Sequence, residues 1–259
     1  MIVTGLFKLL IFVFFLVMYF ITTLPLLPFF YLRPFKIRKI LNFIVHFYSR
    51  IVLFFLNVHV QWNIKESLPH SGKLIVSNHL SYMDILVLAS RIPSSFVTST
   101  EMKETFGLGH ICILAGCVFV NRKNKKNIHQ EVREITDALK SNINVIVFPE
   151  ATSTNGEEVI RFRRPLFQSA IDAGQNVSPI TLNYQQVNNV KVSLQNRDSV
   201  FWYGDMTFFD HFWNFLKLKR VDVRVSIDTE LMIGSFADTI SLSTASYDIV
   251  KSSYDPVQS

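Results

Sequence analysis

Cysteine is scarce in this sequence of 259 residues, which contains only Cys112 and Cys117. Four residues separate them, and neither a second cysteine pair nor a histidine lies at the spacing of a zinc site. The sequence therefore predicts no metal centre. It favours buried free thiols in a reducing compartment over a disulfide framework.

Charge is missing from one long segment. Residues 9–32 contain no charged side chain and are dominated by Phe, Leu, Ile and Val. A helix of that length reaches about 36 Å, against a bilayer hydrocarbon core of about 30 Å. The segment is too long for a signal-peptide core and lacks a small-residue cleavage site, so we expect it to be retained. Because of Pro25 and Pro28, two forms remain open: a membrane span, or a helix broken near Thr23 that dips into one leaflet.

The charges that flank this segment are mainly basic. Only Lys8 precedes it, and a cluster follows it, formed by Arg33, Lys36, Arg38 and Lys39. The positive-inside rule puts the cluster, and the folded domain after it, on the cytoplasmic face of a membrane. The next apolar stretch, Ile40 to Val60, contains three basic or histidine residues and is typical of an interfacial helix.

Acidic residues are also fewer than basic ones, which gives a formal charge of +6 and a pI of about 9.3. Such a balance is compatible with nucleic-acid binding. However, the basic residues cluster beside the apolar segment and in the run from Arg122 to Lys126. Anionic lipid head groups explain that distribution more simply, so the expected partners are membrane lipids and not nucleic acid.

No internal repeat or low-complexity block interrupts the rest of the chain. We predict N-terminal membrane-anchoring helices over residues 1–62, one folded domain over 63–251 and a polar, disordered tail over 252–259. Within the domain, strand and helix patterns alternate. The strands are predicted at 73–77, 95–99, 118–120, 143–148 and 177–182, with an edge strand at 221–227, and the helices begin at 84, 127 and 165. The expected fold class is α/β, a mixed and largely parallel sheet flanked by helices and preceded by the membrane-embedded helical segment.

One segment carries residues suited to proton transfer. His79 follows the apolar strand 74–76, and Asp84 comes five residues later. On a continuous helix the two side chains would lie roughly 140° apart, so a contact requires a loop that curls into a helix with Asp84 in its first turn. A neutral imidazole can then take a proton from an alcohol while the carboxylate fixes its tautomer. By itself the pair is also compatible with a surface histidine beside a helix cap.

Two further strands end in charged residues. Arg122 follows the strand 118–120, and Glu150 follows the strand 145–147. Ligands bind outside the carboxyl ends of the strands of parallel α/β sheets. We therefore expect His79, Arg122 and Glu150 to meet at one edge of the sheet.

With these segments in order, the chain resembles the glycerolipid acyltransferase family, which includes the 1-acyl-glycerol-3-phosphate acyltransferases. The corresponding motifs are Asn78 to Asp84 (Asn-His-x4-Asp), Gly116 to Arg122 (Gly-x-x-Phe-x-x-Arg), Phe148 to Thr152, and the apolar segment Val177-Ser178-Pro179-Ile180. The resemblance implies that His79 is the catalytic base and Asp84 its orienter. It implies an acyl thioester donor, from coenzyme A or an acyl carrier protein, with no other cofactor, and Arg122 and Glu150 as ligands of the acceptor head group. The substrate-binding residues that it implies are Asn78, Gly116, Phe119, Arg122, Pro149, Glu150, Thr152 and Pro179.

The third motif departs from the family pattern at two positions. Ala151 replaces glycine, and because alanine is strained at positive φ we expect a permitted backbone conformation there. Ser153 replaces an arginine, which puts a phosphate monoester acceptor in doubt. Arg161, Arg163 and Arg164 either replace that charge or form a solvated basic turn. The third motif resembles members that acylate other lysolipids, and residues 202–206 resemble lyso-ornithine lipid acyltransferases.

The predicted activity is a membrane-bound O-acyltransferase that moves a fatty acyl group from a thioester to the hydroxyl of a lysolipid: a lysophospholipid, lysophosphatidic acid or lyso-ornithine lipid. Two alternatives remain, a metal-dependent phosphoesterase using His79 and Asp84, and a catalytically altered lipid-binding member of the family. Ser81 lacks the Gly-x-Ser-x-Gly context of a serine nucleophile. Backbone N–H groups after His79 or around Ala151 are the candidate oxyanion donors.

Overall fold

The computed structural model describes residues 2–65, 67–69, 71–105, 107–121 and 128–258. The helices are α1 (Ile2–Thr23), α2 (Leu27–Leu32), α3 (Pro34–Leu56), α4 (Met83–Ala89), α5 (Thr100–Glu104), α6 (Leu108–Leu114), α7 (Ile128–Lys140), α8 (Gln168–Ala173), α9 (Phe208–Leu216) and α10 (Thr239–Ser252). The strands are β1 (Val58–Ile64), β2 (Leu74–Ser77), β3 (Ser94–Ser99), β4 (Val118–Val120), β5 (Asn144–Val147), β6 (Val177–Val187), β7 (Val190–Lys191) and β8 (Val221–Ile227).

These strands form one mixed sheet in the order β1-β8-β6-β2-β5-β3-β4, with β7 paired to β6. The run from β6 to β4 is parallel, whereas β8 is antiparallel to β6 and parallel to β1. Helices pack along it: α3 contacts β1 and β3, α7 contacts β4 and β5, and α10 contacts β6. The predicted fold class, a largely parallel α/β sheet flanked by helices, is confirmed.

The centre of the sheet is apolar on both faces, as expected of strands covered by helices. Every residue of β2 and β5 is buried, and their Val, Ile and Leu side chains belong to one continuous core. Since β2 lies between β6 and β5, the loops that follow these strands emerge together at one edge of the sheet.

The N-terminal helices pack against this domain. α1 contacts α3 and α9, with the rings of Phe12 and Phe212 only 4.8 Å apart. The buried Lys8 ammonium donates hydrogen bonds to the carbonyls of Leu56 (2.5 Å), the last residue of α3, and Leu218 (2.7 Å), two residues after the end of α9. α1 is therefore docked on the folded domain along its length.

The opposite surface of these helices is apolar and uncovered. The exposed side chains include Val3, Leu6, Phe7, Leu10, Val13, Phe14, Val17 and Ile21 on α1 and Phe43, Phe47 and Phe54 on α3. Residues 2–30 and 34–56 are long and apolar enough to cross a membrane by length and composition. The chain thus has two N-terminal apolar helices that could contact a bilayer.

Several predicted boundaries differ from the structure. α1 ends at Thr23, and a turn of 3-10 helix over Leu24–Leu26 leads into α2, which agrees with the broken form of the helix. The second apolar stretch is helical only to Leu56, because Asn57 adopts φ 59° and terminates α3. The chain then enters β1, which pairs with β8, so the predicted boundary at residue 62 falls inside a strand.

Two predictions were wrong. Val221–Ile227 is not an edge strand, because β8 lies between β1 and β6. Its alternating pattern reflects one face that is less covered than the other. The tail is not disordered over its described residues, 252–258: Tyr254 and Val257 are buried, and both donate hydrogen bonds to the Gly156 carbonyl.

Candidate functional site

The candidate site is built on two neighbouring loops. The His79 loop, residues 78–84, follows β2, and the Glu150 loop, residues 148–156, follows β5. The predicted meeting of His79 and Glu150 at one edge is observed. Arg122, the third member of the predicted set, lies outside the described residues.

The His79 loop curls into α4, as the spacing required. Asp84 lies in the first turn of α4 and its side chain is fully buried. Its Oδ2 atom accepts hydrogen bonds from the backbone N–H groups of Leu80 (2.7 Å) and Ser81 (2.9 Å) and lies 2.9 Å from Nδ1 of His79. Its Oδ1 atom accepts from the Tyr184 hydroxyl at 2.8 Å. Four donors thus hold the carboxylate in place.

His79 is fixed on one side and open on the other. Its ring stacks on Phe148, with centroids 4.1 Å apart and planes inclined by 14°. The side chain keeps 20% of its surface exposed. Because Asp84 occupies Nδ1, the bond favours a proton on that nitrogen. Nε2 has no hydrogen-bond partner among the described residues, so it can accept a proton from an incoming group.

Glu150 is buried beneath this loop and has only 2% of its surface exposed. Oε1 accepts the backbone N–H of His79 (2.8 Å) and Oε2 that of Ile160 (3.1 Å). Burial raises the pKa of Glu150 to about 8; the two N–H groups oppose that rise, and the nearby Asp84 charge adds to it. Both carboxyl oxygens therefore accept hydrogen bonds from backbone N–H groups. The resemblance implied instead that Glu150 is open to the substrate and binds the acceptor head group.

Asn78 anchors the loop to the other neighbouring strand. Its amide nitrogen donates to the Leu182 carbonyl (2.9 Å) and its oxygen accepts the Leu182 N–H (2.8 Å). The side chain thereby continues the pairing of β2 with β6. Pro179 lies in β6 beside Val76 and is buried, so this motif residue is part of the sheet.

The second-motif residues lie near α3 and β3. Gly116 has φ +70°, and an added Cβ would come within 3.0 Å of Arg38 and 3.1 Å of Asn42. Glycine is required there by backbone conformation and by the close approach of α3. Phe119 pairs with Thr98 of β3, and the Lys103 ammonium lies 5.4 Å from its ring centroid.

The Glu150 loop adopts a strained turn. Ala151 has φ 61°, so the expectation of a permitted conformation was wrong. Its N–H donates to the Phe148 carbonyl across the turn (3.0 Å), and the Thr154 N–H donates to the His79 carbonyl (2.9 Å). These contacts keep the turn against the His79 loop despite a cost of roughly 1 kcal/mol for alanine in the left-handed region.

The other residues of the motif differ in exposure. Pro149 is buried and its carbonyl accepts the Arg163 N–H (2.9 Å), whereas Thr152 is exposed and Ser153 is half-buried. Most predicted oxyanion donors are already engaged: the N–H groups of Leu80 and Ser81 bind Asp84. Within the Glu150 loop, the backbone N–H groups of Thr152 and Ser153 make no hydrogen bond to a described residue.

The three arginines that follow the third motif are exposed. Arg161 and Arg164 line a cavity of about 280 Å³ with the α10 residues Ser243, Tyr247 and Asp248. Neither His79 nor Asp84 lines it. The geometry therefore favours the solvated basic turn over a replacement for the charge missing at Ser153.

Sequence reasoning missed two contacts of the His79–Asp84 pair, which we call the dyad. Tyr184 lies a hundred residues after Asp84, and only the length of β6 brings it to the carboxylate. Phe148 was read as part of a motif, but its stacking on His79 is a tertiary contact. Across the part of the chain that the structure describes, no group of three or more His, Cys, Asp or Glu side chains is arranged to hold a metal ion.

The chain is similar in sequence to known acyltransferases. Residues 58–183 match the family model described as Acyltransferase. The chain is 32% identical over 155 residues to a 1-acyl-sn-glycerol-3-phosphate acyltransferase of Neisseria meningitidis serogroup B, a match that covers 60% of this chain and 58% of that protein. It is 28% identical over 207 residues to a lyso-ornithine lipid O-acyltransferase of Brucella abortus, covering 76% of each. The chain thus spans less than two thirds of the length of the Neisseria relative.

One solved structure has the same fold. It is the 1-acyl-sn-glycerophosphate acyltransferase of Thermotoga maritima, with a TM-score of 0.67, 19% identity, and coverage of 97% of this chain and 95% of that one. At this identity the likeness concerns the fold alone. The sequence matches confirm the resemblance that the motifs predicted.

Proposed function

Because residues 58–183 match the acyltransferase family model, we propose that this protein transfers a fatty acyl group from a thioester to the hydroxyl of a lysolipid at a membrane surface. The observation that carries the proposal is the His79–Asp84 pair. Nδ1 is held by a buried carboxylate, while Nε2 remains free at a partly exposed ring. A simple lipid-binding site requires no such base.

The proposed reaction is a direct displacement. Nε2 of His79 takes the proton of the lysolipid hydroxyl while its oxygen forms a bond to the thioester carbonyl carbon. The carbonyl electrons return as the C–S bond breaks, and the thiolate leaves with the proton that His79 carried. The products are an ester and a free thiol, and no acyl-enzyme forms. Asp84 stabilises the imidazolium that exists between the two proton transfers.

Glu150 takes a positioning role in this scheme. Its side-chain oxygens accept hydrogen bonds from the His79 N–H and the Ile160 N–H, and so fix the His79 loop to the segment after the Glu150 loop. The N–H groups of Thr152 and Ser153, which make no hydrogen bond to a described residue, are the candidates within that loop to stabilise the tetrahedral oxyanion.

For the acceptor, we propose a lysolipid without a terminal phosphate monoester, such as a lysophospholipid or a lyso-ornithine lipid. Ser153 brings no charge to the loop beside His79, and Arg161 and Arg164 line a different cavity. Lysophosphatidic acid is the competing acceptor. Coenzyme A and an acyl carrier protein are the two candidate carriers of the donor, and the scheme needs no other cofactor and no metal.

The docking of α1 suggests how the site meets its lipid. Lys8 is buried against the ends of α3 and α9, and the exposed apolar side chains of α1 and α3 point away from the domain. This arrangement favours helices that enter one leaflet. It disfavours an α1 that crosses the bilayer. Arg33, Lys36 and Lys39 remain exposed for the anionic cytoplasmic face, whereas Arg38 is buried and paired with Glu134 at 2.9 Å.

The test is an acyl-transfer assay on the purified, detergent-solubilised chain with radiolabelled acyl-CoA or acyl carrier protein and a panel of lysolipids, with and without EDTA. We expect a diacyl product, a free thiol and no effect of the chelator. Hydrolysis of a phosphoester that EDTA abolishes would instead support the phosphoesterase. Lipid binding without product from any donor would support the altered family member.

A further inference from the structure

One side chain of the His79 loop points away from the dyad. Tyr82 lies between His79 and Asp84, and its hydroxyl lies 2.9 Å from Nδ1 of His211 on α9. His211 is buried, with 5% of its surface exposed. Burial also raises the pKa of Tyr82 and lowers that of His211, so the pair is a neutral phenol and a neutral imidazole. Such a buried hydrogen bond between distant segments is costly to leave half-made.

Aromatic packing encloses this bond. The Tyr82 ring lies edge-on to Phe208 (5.0 Å), Trp202 (6.0 Å) and Phe212 (6.2 Å). The backbone N–H of Trp202 also donates a hydrogen bond to the Leu80 carbonyl at 3.0 Å, so the same segment holds the backbone of the His79 loop. Tyr82 therefore has one ordered position, which is set by α9 and the residues before it.

α9 is in turn fixed to the apolar N-terminal layer. Phe212, one residue after His211, packs on Phe12 of α1 at 4.8 Å. A Cβ on Gly5 would come within 3.3 Å of Trp213, so the two helices approach closely. The Tyr82–His211 bond is thus the polar link between the His79 loop and the helix that supports α1.

We propose that His211 is a positioning residue for acyl transfer, acting through Tyr82 to hold the His79 loop in its reactive geometry. The inference rests on the proposed function, because His79 must be the base for its position to matter. His211 touches neither His79 nor Asp84. Its effect is on the orientation of the loop, and so on the rate of the transfer step more than on substrate affinity.

The experiment compares kcat and the acceptor KM, per folded enzyme, for three variants of the full chain. His211→Leu keeps the volume and removes the partner, and Tyr82→Phe removes only the hydroxyl. His211→Asn retains an amide that can pair with the hydroxyl in either sense. We expect the first two to lower kcat about tenfold at an unchanged KM, and His211→Asn to stay within threefold of wild type.

The double variant Tyr82→Phe with His211→Leu should be no slower than either single variant, because both remove the same bond. Tyr203→Phe is the matched control, since it removes a hydroxyl bonded to Asp198 at the surface, and kcat should not change. A Tyr82→Phe enzyme within twofold of wild type, or additive losses in the double variant, would overturn the inference and leave the proposed function intact. An inactive wild type would overturn both.

Discussion

The His79 loop and the Glu150 loop lie side by side at the ends of adjacent strands, but they hold their shapes differently. In the first, one buried carboxylate gathers two backbone N–H groups, an imidazole and a phenol. The second contains a left-handed alanine and an exposed threonine, and braces its neighbour through the buried Glu150. In the proposed function, the first loop carries out the proton transfer, and the second loop supports it and selects the acceptor.

Removing the base from the His79 loop should have the largest effect on activity. We expect His79→Ala to lower kcat by roughly two to four orders of magnitude, the usual scale for loss of a general base, with little change in thermal stability. His129→Ala, an exposed histidine on α7, is the control and should retain full activity. A His79→Ala rate within threefold of wild type would reject the base assignment.

The neighbouring carboxylate provides the next largest effect. Asp84→Asn can still hold the ring but cannot stabilise the imidazolium, and its amide would face the donors from Leu80 and Ser81. We expect turnover to fall by at least tenfold, measured as kcat between pH 6 and pH 9. Equal activity across that range would reduce Asp84 to a helix cap.

A charge added to the Glu150 loop should change the preference between acceptor lipids, with little effect on kcat. Ser153→Arg is expected to shift the kcat/KM preference toward lysophosphatidic acid by about 1.5–3 kcal/mol, roughly tenfold or more, as for a charge-assisted hydrogen bond. Ser153→Gln supplies similar length without charge and should leave the preference unchanged. A wild type already selective for lysophosphatidic acid, with no shift in Ser153→Arg, would refute the acceptor argument.

Glu150 gives a pH test of stability. Its pKa is raised from 4.5 to about 8 in the folded chain, so the folded state binds this proton more tightly than the unfolded state. The stability from this group is complete below about pH 4.5 and is lost as the pH rises through about 8. Between those values the free energy of unfolding of wild type should fall more steeply with pH than that of Glu150→Gln, by up to about 1 kcal/mol per pH unit.

Denaturant titrations from pH 5 to pH 9 would measure these slopes. Glu158→Gln, at an exposed position near the same loop, should run parallel to wild type. Parallel curves for Glu150→Gln and wild type would show that the two backbone N–H groups keep the carboxylate ionised.

The smallest effect concerns backbone strain. Ala151→Gly should raise the free energy of unfolding by about 1 kcal/mol, because glycine has no Cβ penalty at φ 61°. Ala138→Gly, in the interior of α7, should lower it by a similar amount. Activity should remain within twofold in both variants. A destabilised Ala151→Gly protein would mean that the methyl group makes a necessary contact.

The sequence predicted the parts of this arrangement that depend on local spacing. The spacing between His79 and Asp84 predicted a loop that enters a helix. The strands 74–76 and 145–147 predicted that the residues following them lie at the same edge of the sheet. The five strands predicted before the edge strand are all observed, and they and the amphipathic helix α7 follow directly from periodicity. These features need only the chain direction and the pattern of apolar residues.

Contacts between distant segments were not predictable in this way. Nothing near Tyr184 marks it as a ligand of Asp84, and the Tyr82–His211 bond joins residues 129 positions apart. The left-handed Ala151 shows a second limit: tertiary hydrogen bonds from Thr154 and Arg163 hold the turn against the local preference of alanine. β1 was misread as helix because its apolar residues continue the pattern of α3, and only φ 59° at Asn57 separates them.

The division between the two loops is tested most directly by measuring kcat and acceptor preference together in His79→Ala and Ser153→Arg. We expect His79→Ala to lower kcat by at least a hundredfold, while the ratio of kcat/KM values for two lysolipids stays as in wild type. Ser153→Arg should shift that ratio with kcat within threefold. A His79→Ala enzyme with altered preference and nearly normal kcat would contradict the assignment of proton transfer to the His79 loop, because His79 would then bind the acceptor without serving as its base.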